Sequence, residues 1–95
     1  MAYIHIASTK GFTVDDVRRI EGAVGDRGTI DGLLLETYGE TDGGVHIVTV
    51  WESESHKDRY EAERLVPAFQ AAGIGSEVMA NTTFTTCDAA SLYRR

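Results

Sequence analysis

The chain has 95 residues, with nine lysines and arginines against fifteen acidic residues and a formal net charge of -6. That length allows one domain with an adequate core, and the acidic balance excludes the clustered Lys and Arg of a nucleic-acid footprint. No apolar run approaches the roughly 20 residues of a membrane span. The N-terminus lacks the basic and apolar regions of a signal peptide, and the single cysteine, Cys87, permits no internal disulfide, so a cytoplasmic home is expected.

Residues Ala2 to Ser8 read as a first strand, with Tyr3, His5 and Ala7 on one face and Ile4 and Ile6 on the other. Thr13 is a good helix N-cap. Asp15 and Asp16 suit the positive end of the helix dipole, and Val14, Val17, Ile20 and Val24 form an apolar stripe. Gly25 and Gly28 mark the exit from that helix. After the Asp31-Gly32 turn, a second strand spans about Leu33 to Glu40.

Asp42-Gly43-Gly44 joins it, as a hairpin, to a third strand from Val45 that is rich in β-branched residues and reaches Trp51. Ser55 and Asp58 resemble a capping box opening a second helix, whose apolar face carries Leu65, Phe69 and Ala72. Pro67 lacks a backbone donor and clashes with the preceding turn, so the helix is expected to kink or restart there. Gly73 and Gly75 close the helical region. A last strand is expected from about Glu77 to Thr86, which leaves a domain over residues 1–87 and a tail over 88–95.

The order βαββαβ, with right-handed crossovers, gives a ferredoxin-like sandwich: an antiparallel four-stranded sheet in the order 4-1-3-2 with both helices on one face. Strand alternation then sorts the side chains. The helix side is expected to take Ile4, Ile6, Leu33, Leu35, Ile47, Trp51, Val78 and Phe84. The opposite face would receive Tyr3, His5, Glu36, Tyr38, His46, Asn81, Thr83 and Thr85, interleaved with Leu34, Val48, Val50 and Met79. So much apolar surface calls for a cover, and a homodimer packed sheet to sheet is the simplest one.

The phase depends on the hairpin. A three-residue Asp42-Gly43-Gly44 loop sets Tyr38 opposite Val48 and preserves the grouping; a two-residue Asp42-Gly43 turn sets Tyr38 opposite Ile47 and breaks it. The three-residue loop is preferred because it leaves the helix side almost wholly apolar.

On that reading two imidazoles, a carboxylate, a phenol and an amide meet in an apolar cavity, the composition of a small-molecule site. His5, His46 and Tyr38 are the candidate catalytic residues. Tyr3, Glu36, Val48, Val50, Met79, Asn81 and Thr83 are the candidate substrate contacts. A neutral imidazole suits proton abstraction near pH 7. Taken singly, His5 and His46 read better as partly exposed strand histidines; only together on one face, with a carboxylate nearby, does the site reading draw level. Burial would lower a histidine's proton affinity and a nearby Glu36 would raise it, so the direction stays open.

Metal binding is not expected, because His5, His46 and His56 show no ligand spacing. His56 reads as a surface residue. Gly22, Gly25 and Gly28 close a helix where a phosphate loop would open one. Cys87 has no evident activating base.

Val-Thr-Val-Trp-Glu-Ser-Glu at residues 48–54, followed by a helix and a Pro-containing helical piece, resembles the antibiotic-biosynthesis monooxygenase family of the dimeric α+β barrel superfamily. The resemblance implies a dimeric barrel and a cofactor-independent oxygenase acting on an aromatic or polyketide-type molecule. Without O₂, the same proton transfer would make an isomerase or cyclase; without chemistry, the cavity would make a dimeric binder of a hydrophobic metabolite. Haem-degrading members of the superfamily use an Asn, Trp and His set. Their helical Trp and His would fall here on Tyr60 and Gln70, so that activity is not expected.

Overall fold

The computed structural model describes residues 1–94. Strand β1 (Tyr3–Lys10) leads to helix α1 (Val14–Val24) and a 3-10 turn (Arg27–Thr29), then to the hairpin β2 (Leu33–Thr41) and β3 (Gly44–Trp51). Helix α2 (Glu54–Tyr60), a π-helical segment (Glu61–Leu65), α3 (Val66–Ala72) and α4 (Gly75–Ala80) follow, and β4 (Thr82–Asp88) is the last strand. The sheet order β2-β3-β1-β4 with antiparallel neighbours is the expected ferredoxin-like α+β arrangement.

Local chemistry starts α1 as expected. The Thr13 hydroxyl accepts from the Asp16 amide, and the Asp16 carboxylate accepts from the Thr13 amide, a reciprocal capping box. Val17, Ile20 and Val24 are buried by that helix. Ile20 and Val24 meet Tyr3, Ile30, Trp51 and Ala68 in the core, where Trp51 is only 1% exposed. The second helical run is capped two residues earlier than its sequence indicates: Ser53 accepts from the His56 amide and α2 begins at Glu54. Gly32 stands against His56 with φ of 80°, and a Cβ there would overlap the imidazole, so both space and backbone favour glycine.

The α-helical pattern restarts next to Pro67, at Val66, as the sequence predicts, but without a break in the run. The backbone stays helical from Glu54 to Ala72, and hydrogen bonding widens over Glu61–Leu65, so that the Val66 amide reaches the Glu61 carbonyl. Pro67 then enters at the first turn of α3, where a missing donor is tolerated.

Three expectations are corrected. The hairpin uses the two-residue turn: Thr41 pairs with Gly44, and Tyr38 stands opposite Ile47. Gly43 takes φ of 90°, which closes the turn without a third residue. Strand β1 is in the opposite phase to the one expected. Tyr3 pairs with Trp51 and His5 with Thr49, so the face carrying Tyr3, His5, Ala7 and Thr9 lies under the helices. Ile4 and Ile6 pair with Val50 and Val48 on the helix-free face, and Leu35, opposite Val50, joins them. A bulge between Leu33 and Leu35 holds Leu34 out of the ladder. Finally, Glu77 to Ala80 belong to α4 and not to a strand. Asn81 caps that helix, its amide donating to the Glu77 carbonyl at 2.9 Å.

Candidate active site

The face of β1 that carries His5 closes, with the helices, a cavity of about 120 Å³. Its walls are aromatic and aliphatic: Phe12, Ile20, Ile47, Trp51, Phe69 and Phe84 all line it. Met79 and Phe84 are 56% and 44% exposed, which puts its mouth at the β4 edge. Polar groups enter from two sides. His5 and Glu36 come from the sheet, and Lys57, Tyr60 and Glu61 come from the helical run, with Glu21 of α1 and Arg27 of the 3-10 turn completing the set.

His5 is the centre of this arrangement. Its Nε2 is 4.0 Å from a Glu61 carboxylate oxygen, and its ring packs 5.2 Å from Phe84 at a 44° tilt. Burial lowers its proton affinity below that of an ordinary imidazole. Glu61 and Asp58 oppose the effect, and Lys57 adds to it. Glu61 is held in turn by Lys57, whose ammonium lies 3.0 Å from it and 2.8 Å from Asp58. Burial alone would lower the Lys57 pKa, but hydrogen bonds to the two carboxylates outweigh it and raise the value.

A second polar group lies across the cavity. The Arg27 Nε is 2.6 Å from Glu36, and the same guanidinium contacts Glu21, which also accepts from the Tyr38 hydroxyl at 2.9 Å. The Tyr60 phenol is pushed up to about 12, by burial first and by the Glu36 carboxylate second, with Arg27 acting the other way. Its ring packs 5.1 Å from Trp51, whose indole N–H donates to Thr49 at 2.8 Å.

The candidate set named from the sequence is therefore divided. His5, Glu36 and Met79 line the cavity, but on the helix side of the sheet. Tyr38 reaches the same region through Glu21, and Tyr3 is a core residue whose hydroxyl donates to Glu54 at 3.3 Å. His46, Val48, Val50 and Thr83 lie on the opposite face, so His5 and His46 do not share a pocket. Asn81 is taken up by its helix end. The sequence reading missed Lys57, Tyr60, Glu61, Glu21 and Arg27. The spacing of residues 57, 60, 61 and 65 along one helical face carried the signal, because it sets polar groups in line with Leu65 on the inward stripe.

Among the described residues, one group has metal-type donors close together: Asp31, Glu52 and His56, with ligand atoms within 4.8 Å of one another. It sits at the surface, and Arg59 lies 3.0 Å from Asp31, placing a fixed positive charge where a cation would go. No helix among the described residues is long and apolar enough to cross a membrane.

No protein-family profile matches the chain, and no curated protein sequence matches it significantly. Solved structures do. A candidate antibiotic biosynthesis monooxygenase from Chloroflexus aurantiacus superposes with a TM-score of 0.73 at 13% identity, over 99% of this chain and 98% of that one. It has the fold of the antibiotic-biosynthesis monooxygenase proteins. A cofactor-independent oxygenase from Streptomyces nogalater, SnoaB, in an Asn-to-Ala mutant form, gives a TM-score of 0.63 at 12% identity, covering 99% and 97%. A second candidate monooxygenase, from Deinococcus radiodurans, gives 0.59 at 17% identity, covering 100% and 98%. The fold expected from residues 48–54 is thus present over nearly the whole chain.

Proposed function

We propose that this protein is a cofactor-independent, monooxygenase-like enzyme that binds an aromatic hydroxyl compound between its sheet and helices and uses His5 as general base. The observation that carries the reading is the His5 imidazole. It is biased toward its neutral form by burial, faces an aromatic-walled cavity, and has Glu61 positioned 4.0 Å behind it. A neutral imidazole takes a proton from an acidified ring carbon or hydroxyl, and Glu61 stabilises the imidazolium that results. The carbanion delivers its electrons to O₂, a C–O bond forms, and the resulting peroxide takes the proton back from the His5 imidazolium to become a hydroperoxide. Loss of water from the hydroperoxide then leaves a carbonyl, so a CH₂ group and O₂ become C=O and H₂O. The substrate supplies all the electrons. The shared fold with a cofactor-independent oxygenase supports this choice.

The working form is proposed to be a homodimer covered through the helix-free face, where Ile4, Ile6, Val48 and Val50 form an apolar patch. The single exposed cysteine fits a reducing, cytoplasmic setting.

Oxygen uptake with an activated single-ring phenol tests the reading. His5→Gln is expected to bind the substrate and to lose about 100-fold or more in turnover, the usual scale of general-base catalysis. Undiminished oxygen uptake in that variant would remove His5 from the mechanism. Turnover that continues without O₂ would make the protein an isomerase or cyclase, and binding without any turnover would make it a carrier.

A further inference from the structure

We propose that the cavity takes a single uncharged phenolic ring and rejects its carboxylated analogue. The choice of a phenol rests on the oxygenase reading; the charge selection rests on the side chains alone. Among the described residues two cations line the cavity, and each is engaged by carboxylates rather than free to meet an anion. Arg27 is engaged on two sides, by Glu36 at 2.6 Å and by Glu21, and Lys57 is engaged by Asp58 and Glu61. The lining carboxylates Glu21, Glu36 and Glu61 outnumber the lining cations by one.

An entering carboxylate would therefore lose its hydration and find no unoccupied donor of opposite charge, and it would face an excess of negative charge at short range. Burying an unpaired charge in an apolar site is strongly unfavourable. A neutral hydroxyl meets no such penalty and can share the His5 or Glu61 acceptors. Size sets the other limit. A cavity of about 120 Å³ is close to the scale, about 150 Å³ in an engineered case, at which a dry apolar cavity holds one benzene ring. A fused polycycle would have to project past Met79 and Phe84 into solvent.

Trp51 is the only tryptophan and lines the cavity, so its fluorescence reports occupancy. The test titrates the protein near neutral pH with 4-hydroxybenzamide and 4-hydroxybenzoate, which differ in charge and hardly in size. The amide is expected to bind at least about tenfold more tightly, a difference of about 1.4 kcal/mol. Glu36→Gln and, separately, Glu21→Gln each free one side of Arg27, and each should cut that ratio to about threefold or less by improving carboxylate binding. Equal or tighter binding of the carboxylate to the unaltered protein would overturn the proposal. So would an unchanged ratio in both variants once each is shown to be folded. Saturable amide binding with no oxygen uptake by any phenol would sink the oxygenase reading and leave the charge selection standing.

Discussion

The Nε2 atom of His5 stands 4.0 Å from a carboxylate oxygen of Glu61, across the gap between β1 and the π-helical segment. Burial lowers the His5 pKa below 6.5, and Glu61 partly restores it. Activity that requires the neutral base should hold steady on the alkaline side and fall only at a pH below 6.5. Replacing Glu61 with Gln removes the restoring charge, so the acid limb should move to still lower pH. An NMR titration of the His5 ring protons reads the same shift without substrate. A limb or titration midpoint at or above 6.5, or an upward move in Glu61→Gln, would contradict the geometry.

Stability should follow the same group. Folded His5 binds its proton less tightly than the unfolded chain does, so the folded state keeps its full advantage above 6.5. That advantage is lost as pH falls from 6.5 toward the folded pKa. His5→Gln should flatten this part of the denaturation midpoint's pH dependence, measured by urea unfolding. A slope of the same size in the variant would show that another group titrates there.

His46 provides the contrast. It pairs with Ser8 on the helix-free face and is exposed, whereas His5 pairs with Thr49 beneath the helices. His46→Gln should therefore leave turnover within about twofold, because a surface substitution remote from the cavity changes little. Steady-state kinetics of the two variants side by side checks this. A loss in His46→Gln comparable to that in His5→Gln would mean that the helix-free face carries chemistry after all.

The division of these two histidines shows where the sequence was readable and where it was not. The Thr13 cap, the Val17, Ile20 and Val24 stripe, the Trp51 anchor and the order of elements all followed from local pattern. The phase of β1 did not, because Ile4 and Ile6 look like core residues while Tyr3 and His5 look like site residues. The sheet is apolar on both faces, so alternation alone cannot say which face the helices cover. One residue in the Asp42-Gly43 turn decides the partner of every β2 residue up to the bulge, and Tyr38 and Glu36 moved with it. Val78 and Met79 resemble a strand because their run is short. Gly75 and Ser76 open a one-and-a-half-turn helix too brief to show a period. Glu61 and Lys57 were hidden for another reason: charged residues on a helix are ordinarily solvated, which outweighed the spacing that sets these two in line with Leu65.

Trp51 joins the core to the cavity. Its indole N–H donates to the Thr49 hydroxyl, and that hydroxyl donates to the His5 carbonyl at 3.4 Å. Trp51→Phe should cost about 1–3 kcal/mol, since the buried Thr49 oxygen loses its donor and the smaller ring leaves a gap. Trp51→Ala should cost about 3–5 kcal/mol. Urea denaturation followed by circular dichroism gives both values. A Phe variant as stable as the parent would mean that the Thr49 contact contributes nothing.

The helix-free face is the surface proposed for the dimer. Ile4 faces Val50 and Ile6 faces Val48 across neighbouring strands, and Leu35 continues the patch onto β2. Val48 lies near the middle of this surface and is already half-buried within one chain. If a second copy covers the patch, Val48→Asp places a carboxylate in a dry sheet-to-sheet contact, twice over because of the twofold symmetry. The expected result is monomer or aggregate on analytical ultracentrifugation, against the dimer expected of the parent protein. Because the cavity opens on the other side of the sheet, the monomeric variant should still bind a phenol, as read from Trp51 fluorescence. A Val48→Asp protein that remains a stable dimer would show that the copies meet through some other surface.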